Sequence, residues 1–438
     1  MKFPAIKGFD HEAFNKYLKN TGMLMFGKIG SLVIKMLVSI QIANHLGAFN
    51  NGILNGAIVY VALFAAVASL GLDQFTVKEL HAYPEERDRI LGTAFGMRLM
   101  AGLLCIPVIY LSWQFFGLEK TPYLYVLILS FTGFFQSFNI IDSYFQSEVQ
   151  SKYIMQVQIT ATLLAAGIKL VLIFSNCALV WFVYASIFDF ISLALGYLAV
   201  YNRKGRSVGQ WKFDLRLARK LISFSWPLII SGIMVSLYMY IDQLMLHEMS
   251  GPAAQGLYST AVAFSSAWYF VPTIIVSSLF PAILNARRDD PERYQKRLQN
   301  LYDIMVWFSI LFALVVTIAA PLIYKLFKPE YASAAPILAV HVWSGIFVFL
   351  GTANTQYMIA ENLNKITFIR TTVGAIVNIL LNLWLIPVMG PLGAAVATLI
   401  SYFVSTFFVV FIPQLRRQAL MMLKSLFLIT LFQKIRKR

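Results

Sequence analysis

The stretch LGAFNNGILNGAIVYVA, residues 46–62, aligns without gaps with SGPAAQGLYSTAVAFSS, residues 250–266. At this offset of 204 residues the two copies share glycines in the same places, Gly47 with Gly251 and Gly52 with Gly256. Each copy joins two long apolar segments, where glycine permits a tight turn and a close start of the next helix. The repeat therefore indicates that the chain consists of two related halves.

The composition indicates that these halves lie in a membrane. The 438 residues are 59% hydrophobic and only 13% charged, whereas soluble domains are about 25% charged. An ordinary cytosolic enzyme, a disordered chain and a secreted disulfide scaffold are thereby excluded. Segments of roughly 20 apolar residues are long enough to cross a bilayer as helices. We predict twelve of them, at 21–45, 51–72, 90–116, 121–143, 153–175, 178–201, 221–247, 254–281, 300–325, 333–358, 366–389 and 392–413.

Six predicted spans fall in each half, so the predicted fold is an all-α polytopic membrane protein made of two pseudo-symmetric six-helix bundles. Both halves begin on the same side of the membrane, which makes the repeats parallel and favours a substrate path between them. The predicted domains are a cytoplasmic segment 1–20, a bundle 21–201, a cytoplasmic linker 202–220, a bundle 221–413 and a tail 414–438. We expect the tail to be an interfacial amphipathic helix held by anionic lipid.

The distribution of basic residues indicates the orientation. With the N-terminus in the cytoplasm, the cytoplasmic segments hold 29 Lys and Arg residues and the outer loops hold 3. Because Lys and Arg accumulate on the cytoplasmic side of membrane proteins, both termini are predicted to be cytoplasmic. The net charge of +16 is then a topology signal, and no nucleic-acid partner is predicted.

Four polar residues form a predicted stripe on the first span. Their spacing of 3, 4 and 4 residues places them on one helix face, and they are Lys28, Ser31, Lys35 and Ser39. A charge at the centre of a bilayer costs about 2.5–3.5 kcal/mol on insertion scales, so this face is expected to meet water or a partner. Two ammonium groups on one wall of a path attract an anionic head group. Lys28 alternatively extends to the cytoplasmic interface, whereas Lys35 lies deeper.

Other charges within the spans have more than one interpretation. Arg98 binds phosphate through its planar guanidinium, extends to the cytoplasmic interface or pairs with Asp142 on the neighbouring span. Lys169 and Asp189 lie at depths that allow them to pair. Asp242 is a wall of the path, a cation site or the partner of an outer lysine. We regard Lys169, Asp189, Asp242 and Asp142 as candidate coupling or gating charges.

Two further polar residues lie within spans. Asn55, on the second span, either lines the path or makes an ordinary interhelical hydrogen bond. Arg370, one turn into the eleventh span, is predicted to anchor that span at the interface. The sequence contains no GxxxxGK[ST] motif, no metal-ligand spacing and no catalytic constellation. We therefore predict no enzymatic activity, no cofactor and no metal.

Four short motifs are specific through their order and positions in the chain. They are LGxxxxG at 46–52, its counterpart at 251–256, KPEYASAAPIL at 328–338 and GPLGAAVATLISY at 390–402. In these motifs and in its twelve spans the chain resembles the polysaccharide transport family of flippases, within the multidrug/oligosaccharidyl-lipid/polysaccharide exporter superfamily. It looks most like the bacterial O-antigen repeat-unit flippases of lipopolysaccharide biosynthesis. The resemblance implies that an undecaprenyl-pyrophosphate-linked oligosaccharide moves from the cytoplasmic to the periplasmic leaflet of the inner membrane.

The resemblance also implies a cationic central cavity between the bundles and alternating access. The expected contacts of the pyrophosphate and sugars are Lys28, Lys35, Arg98, Ser31, Ser39 and Asn55. The second half departs from this pattern, because Gly232 and Met239 stand where the first half has Lys28 and Lys35. Besides the lipid-linked substrate and the membrane, the expected partners are a coupling ion, H⁺ or Na⁺, and a polysaccharide polymerase complex.

Three alternatives stay open. A cation-coupled multidrug antiporter of the same superfamily is expected to have buried acids rather than lysines on its first span, and drug-resistance assays distinguish it. A non-transporting membrane scaffold for glycan assembly would not move lipid in a reconstituted assay. A lipid II flippase is expected to have two further spans.

Overall fold

The computed structural model describes residues 11–118, 120–361, 363–430 and 433, and every regular element in these ranges is a helix. The helices are α1 His11–Ala62, α2 Ala65–Ser69, α3 Asp73–Ala82, α4 Arg87–Phe116, α5 Tyr123–Ser130, α6 Thr132–Gln136, α7 Ile140–Ser147, α8 Ser151–Phe174, α9 Leu179–Arg203, α10 Leu215–Ser250, α11 Pro252–Ser266, α12 Val271–Asp289, α13 Pro291–Tyr324, α14 Ala334–His341, α15 Ser344–Ala360, α16 Asn364–Phe407 and α17 Arg416–Leu426. Of the predicted cytoplasmic segment 1–20, residues 1–10 lie outside the described ranges.

Ten helical stretches of the described chain are long and apolar enough to cross a membrane. Two of them are interrupted by a glycine. Gly47 has φ 74° and ψ 168° within α1, and Gly390 has φ 55° and ψ −133° within α16. Each interruption falls between two predicted spans, so each of these helices supplies two membrane segments. The twelve predicted spans thus correspond to helical segments, and the predicted all-α membrane class is confirmed.

The chain divides into two compact units. The first unit comprises the residues up to His45 together with Ala57–Ser236, and the second comprises Leu46–Gly56 and the residues from Leu237 onward. The division falls inside α10, at Ser236. The short segment Leu46–Gly56 belongs to the first half of the sequence but packs in the second unit.

The predicted linker 202–220 packs within the first unit. The backbone N–H of Lys212 donates to a carbonyl oxygen in the first turn of α4 at 3.1 Å, and Arg89 forms an ion pair with Asp214 at 2.9 Å. The backbone N–H of Leu217 donates to Asp214 at 2.9 Å, and this bond holds the pKa of Asp214 below its usual range. Asp214 therefore stabilises the start of α10 while it ties the linker to α4.

Each unit has its own core of buried side chains. In the first unit the core includes Leu91, Phe145 and Tyr201. In the second unit it includes Tyr302 and Met422. Inside a bilayer such cores are held by close packing, because lipid tails are as apolar as leucine and little hydrophobic force acts between helices.

The predicted tail 414–438 is described except for residues 431, 432 and 434–438. One face of its helix α17 buries Gln418, Ala419, Met422 and Ser425. The hydroxyl of Tyr302 on α13 donates to Gln418 Oε1 at 3.1 Å, and Ser425 donates to the buried Asp303 at 2.7 Å. The buried face of the tail therefore packs against protein of the second unit.

The two copies of the glycine repeat adopt the same backbone conformation. Gly47 has φ 74° and ψ 168°, and its counterpart Gly251 has φ 92° and ψ 170°. Residues with a Cβ atom rarely adopt a positive φ of this kind. Glycine at both positions thus permits the same sharp turn between two helices.

The two copies also pack against each other within the second unit. A Cβ atom on Gly52 would lie 1.7 Å from the carbonyl oxygen of Pro252, and one on Gly256 would lie 1.9 Å from the carbonyl oxygen of Ala48. Pro252 is the counterpart of Ala48 in the repeat, so the contact is reciprocal. Two helices approach here so closely that neither has room for a side chain.

We expect Gly52→Ala to lower the free energy of unfolding by about 1–3 kcal/mol, the usual cost of overpacking, because the new methyl group meets backbone that cannot rotate away. Gly167→Ala is the matched control, since a Cβ atom there has no neighbour within 4 Å and alanine favours a helix. Melting temperatures in detergent measure the difference. A Gly52→Ala protein as stable as wild type would contradict the close packing.

Candidate functional site

Helix α1 has two different exposed faces between residues 28 and 39. The apolar face consists of Ile29, Val33 and Leu37, which are 43%, 48% and 60% exposed. The lysine face consists of Lys28, Lys35 and Ser39, which are also exposed. At 3.6 residues per turn, the centres of the two faces lie more than 90° apart around the helix axis.

The two faces require different surroundings. The apolar face suits hydrocarbon, whereas ammonium groups exposed to hydrocarbon are costly. The lysine face therefore requires surroundings that water reaches. Ser31, predicted on the same stripe, is instead buried, because its position on the helix turns it toward the protein. Its hydroxyl has no hydrogen-bond partner in the described structure, so Ser31 does not belong to the lysine face.

Lys35 lies in a group of three charges in the first unit. The Nζ atom of Lys169 lies 2.6 Å from Oδ2 of Asp189, so the predicted pairing is confirmed. Lys35 interacts electrostatically with both residues. Among the described ion pairs, none involves Lys35 or Lys28 within 4 Å. The group carries one net positive charge, and Lys35 is its member on the lysine face.

Arg98 is buried and paired. Its Nη2 atom lies 2.6 Å from Oδ1 of Asp73, at the start of α3. Asp142, the partner expected from the sequence, instead accepts hydrogen bonds from Gln146 at 3.0 Å and Tyr197 at 3.3 Å. In this structure the guanidinium of Arg98 is engaged by a carboxylate and is not presented to a phosphate, so its predicted pairing with Asp142 is wrong.

Asp142 and Asn55 occupy different surroundings. Asp142 interacts electrostatically with Lys28, which places a carboxylate near one end of the lysine face. Asn55 belongs to the second unit, where its side-chain amide donates to the carbonyl oxygen of Asn51 at 2.8 Å and to Asn51 Oδ1 at 3.0 Å. These hydrogen bonds of Asn55 are thus local to its own helix and are not the interhelical bonds of the simpler interpretation.

Asp242 is a buried carboxylate of the second unit, with 3% of its surface exposed. It accepts hydrogen bonds from the hydroxyl of Tyr258, from Thr398 Oγ1 at 3.1 Å and from the backbone N–H of Gln243 at 2.8 Å. No lysine pairs with it in the described chain. The interpretation of Asp242 as the partner of an outer lysine is therefore wrong.

The hydrogen bonds of Asp242 continue into a network of neutral side chains. Asn378 Nδ2 donates to Thr398 Oγ1 at 3.4 Å and to Ser401 Oγ at 3.0 Å. Asn382 Nδ2 donates to Asn378 Oδ1 at 2.9 Å, while Asn382 Oδ1 has no partner in the described structure. One carboxylate and several hydroxyl and amide oxygens converge here, and such oxygens are the ligands that hard cations prefer.

Sequence reasoning missed Thr398, Asn378 and Asn382. A signal for them existed, because the two asparagines stand four residues apart in an otherwise apolar span and so share one helix face. Their connection with Asp242 joins helices that are far apart in the sequence, and only the folded chain brings them together.

Arg370 was predicted to anchor its span at the interface, and this prediction is wrong. The residue is only 7% exposed. Its Nη2 atom donates to the carbonyl oxygen of Gly351 at 3.0 Å and to the hydroxyl of Thr355. Its Nε atom has no partner in the described structure. Arg370 is thus a buried cation held by neutral oxygens of α15.

The chain is similar to one protein family and to proteins that are named flippases. The family described as polysaccharide biosynthesis protein matches residues 17–287. The chain is 23% identical over 399 residues to the probable flippase AglR of Haloferax volcanii, covering 88% of this chain and 81% of AglR. It is 21% identical over 447 residues to the lipid II flippase MurJ of Bacillus subtilis, covering 89% of this chain and 81% of MurJ.

Solved structures show the same fold at low sequence identity. The inward closed conformation of lipid II flippase MurJ superposes with a TM-score of 0.69 at 15% identity, over 93% of this chain and 92% of that one. An inward-facing multidrug resistance MATE family transporter of the MOP superfamily superposes with a TM-score of 0.71 at 13% identity, over 92% and 98%.

We expect Asp73→Asn to lower the free energy of unfolding by about 1–3 kcal/mol, because it leaves the guanidinium of Arg98 buried without its carboxylate. The loss stays below that of a fully buried pair because the side chain of Asp73 is 61% exposed. Glu85→Gln, at an exposed carboxylate of the same unit, is the control. If both variants melt at the same temperature in detergent, the pair does not stabilise the first unit.

Proposed function

The chain belongs to the polysaccharide biosynthesis protein family, and from this membership and the lysine face of α1 we propose that it flips a lipid-linked oligosaccharide by alternating access. The proposed substrate is an undecaprenyl-pyrophosphate-linked repeat unit, such as that of O-antigen. It moves from the cytoplasmic to the outer leaflet of the bacterial inner membrane. The lysine face is the observation that carries the proposal.

The lysine face suits the charged part of such a substrate. A diphosphate is strongly anionic, and ammonium groups bind phosphate as compact point charges. Lys28 and Lys35 are seven residues apart, or about 10 Å along the helix at 1.5 Å per residue. The diphosphate can therefore contact one lysine and then the other as it advances. Asp142 and Asp189, near Lys28 and Lys35 respectively, moderate the attraction so that the anion is released.

The neighbouring apolar face suits the lipid part of the substrate. Ile29, Val33 and Leu37 are exposed on the same turns of α1 that carry the lysines. A molecule that is half polyprenyl chain and half charged glycan needs hydrocarbon and water side by side. Helix α1 has a surface for each within a partial turn, so the tail remains in lipid while the diphosphate follows the lysines. A multidrug antiporter has no corresponding need for two such faces.

The relatives support the class of substrate. AglR is named a probable flippase, and MurJ is named a lipid II flippase. The alternative of a multidrug antiporter rests on the likeness to MATE transporters, which shows a common fold. We therefore favour a lipid-linked substrate over a soluble drug.

We also propose that Asp242 binds the coupling cation, H⁺ or Na⁺. The carboxylate is buried, and its partners in the described structure are hydroxyl and backbone N–H groups rather than a basic side chain. A charge in such a place has to be compensated in part by something that binds there. A small cation with the oxygens of Thr398 and Asn378 nearby provides that compensation.

We expect Lys35→Ala to reduce flipping at least tenfold while leaving expression and membrane insertion intact, because the deeper ammonium of the lysine face is lost. Lys35→Arg keeps the charge and should retain activity. Lys152→Ala, at an exposed lysine near the start of α8, is the matched control. The assay measures the accessibility of undecaprenyl-pyrophosphate-linked glycan in the outer leaflet of proteoliposomes. Full activity in Lys35→Ala would show that the lysine face is not required for flipping.

We expect Asp242→Asn to abolish the dependence of flipping on a cation gradient, because the amide carries no charge to attract a cation. Flipping rates are measured in proteoliposomes with a Na⁺ gradient at equal pH, and with a pH gradient at equal Na⁺. Asp189→Asn serves as the comparison, because Asp189 already has an ammonium partner. A gradient response that survives in Asp242→Asn would place the coupling site elsewhere.

A further inference from the structure

A buried seam of polar and small side chains runs through the second unit. Three helical segments contribute to it. Within each segment the contributing residues are spaced about three or four apart, which places them on one face of the helix. The members of this polar seam are Tyr238 and Asp242 of α10, Arg370, Gly374, Asn378 and Asn382 of α16 before Gly390, and Thr398, Ser401, Tyr402 and Ser405 of α16 after it.

Contacts follow the seam from one end to the other. At one end Ser405 Oγ donates to the carbonyl oxygen of Arg370 at 3.0 Å. In the middle the rings of Tyr238 and Tyr402 are 4.5 Å apart between centroids. A Cβ atom on Gly374 would lie 3.0 Å from Cε2 of Tyr238, so glycine lets this ring lie against α16. At the other end the amide and hydroxyl bonds described above reach Asp242.

The seam has one charge of each sign at its ends. Asp242 and Arg370 are both buried, and in the described structure each is held by neutral hydrogen-bonding groups and backbone instead of an ion-pair partner. Arg370 and Asn378, which lies beside the Asp242 network, are eight residues apart, or about 12 Å along the helix. No ion pair joins the two charges in the described structure, and unit charges separated on this scale act on each other through a medium of low dielectric constant.

We infer that Arg370 sets the cation affinity of the Asp242 site. This inference rests on the proposed role of Asp242 in binding the coupling cation. The guanidinium stabilises the carboxylate and repels an incoming cation, so that the cation is released within each transport cycle. At an effective dielectric constant of about 20, unit charges ~12 Å apart change the affinity by about tenfold. Arg370 therefore acts on the site from a distance and does not touch the cation.

Other titratable groups adjoin the two charges. Tyr258 bonds to Asp242, and Tyr269 and Tyr402 interact with it electrostatically. His341 packs edge-on against Tyr258, with 5.8 Å between ring centroids. Near Arg370 the corresponding groups are Tyr238 and Tyr302. Arg370 is the permanently charged member among these groups, which makes its charge the one to test.

A double-mutant cycle on stability tests the interaction without any assay of transport. We expect Asp242→Asn and Arg370→Gln each to destabilise the protein, and the double variant to be more stable than the sum of the two losses predicts. The expected coupling is about tenfold in the unfolding equilibrium constant. The control cycle pairs Asp242→Asn with Arg287→Gln, at the exposed arginine that pairs with Glu361, and should be additive. Additivity in the first cycle would overturn the inference.

Cation titration of flipping tests the consequence for affinity. One series varies Na⁺ at constant pH, with K⁺ as the replacing cation, and the other varies pH at constant Na⁺. In the series to which wild type responds, Arg370→Gln should lower the half-maximal cation concentration about tenfold and reduce the maximal rate, since release becomes slow. Arg370→Lys keeps the charge and should retain the wild-type midpoint.

The outcomes separate this inference from the proposed function. An unchanged midpoint in Arg370→Gln overturns the role of Arg370, while flipping and cation coupling at Asp242 stand. A wild type that flips but responds to neither cation overturns the coupling at Asp242, and with it the inference on affinity. If Arg370→Gln does not fold, Arg370→Lys is measured in its place. Because Arg370→Lys keeps the charge, a displaced midpoint in this variant would count against a purely electrostatic role.

Discussion

A charged side chain within a membrane-spanning helix needs water, an opposite charge or a set of polar groups, and each unit of this chain meets that requirement in its own way. Lys28 and Lys35 remain exposed on α1, and exposed ammonium groups need water around them. Arg98 and Lys169 are satisfied by carboxylates at 2.6 Å. Asp242 and Arg370 are satisfied by neutral groups. The cost of leaving any of these charges in hydrocarbon, roughly 2.5–3.5 kcal/mol each, explains why the spans cannot be packed in an arbitrary rotation.

The two halves solve this problem differently although both contain the same glycine turn. The first unit exposes two lysines on α1, and the polar seam of the second unit buries one charge of each sign. Gly232 and Met239, at the positions equivalent to Lys28 and Lys35, fit this difference, because the second half of the sequence has no lysine at either position. The lysine face and the Asp242 site therefore suit different ligands. An exposed cation attracts a large anion, whereas a buried carboxylate among hydroxyl and amide oxygens has room only for a small ion.

The sequence predicts the class of fold, the twelve segments and the family resemblance, which the family match confirms. These depend on long apolar runs and on local motifs, which one span reveals by itself. The partner of Arg98 was not predictable in the same way, because Asp73 lies outside the predicted spans and reaches Arg98 only after α3 packs. Ser31 shares a spacing with the lysines, but spacing alone does not give the rotation of a helix about its axis. Arg370 looked like an interface residue because it lies one turn inside a span, and its burial depends on α15, which the sequence places only approximately.

The reciprocal contact of Gly52 with Pro252, and of Gly256 with Ala48, has a consequence for the history of the chain. After a duplication, the two copies of a segment can change independently at positions where they do not contact each other. At this contact each copy forms the surroundings of the other, so that a side chain gained by one is blocked by the backbone of its sister. The sequence similarity between the two halves therefore persists where the two copies contact each other. Elsewhere the halves share a fold but little sequence.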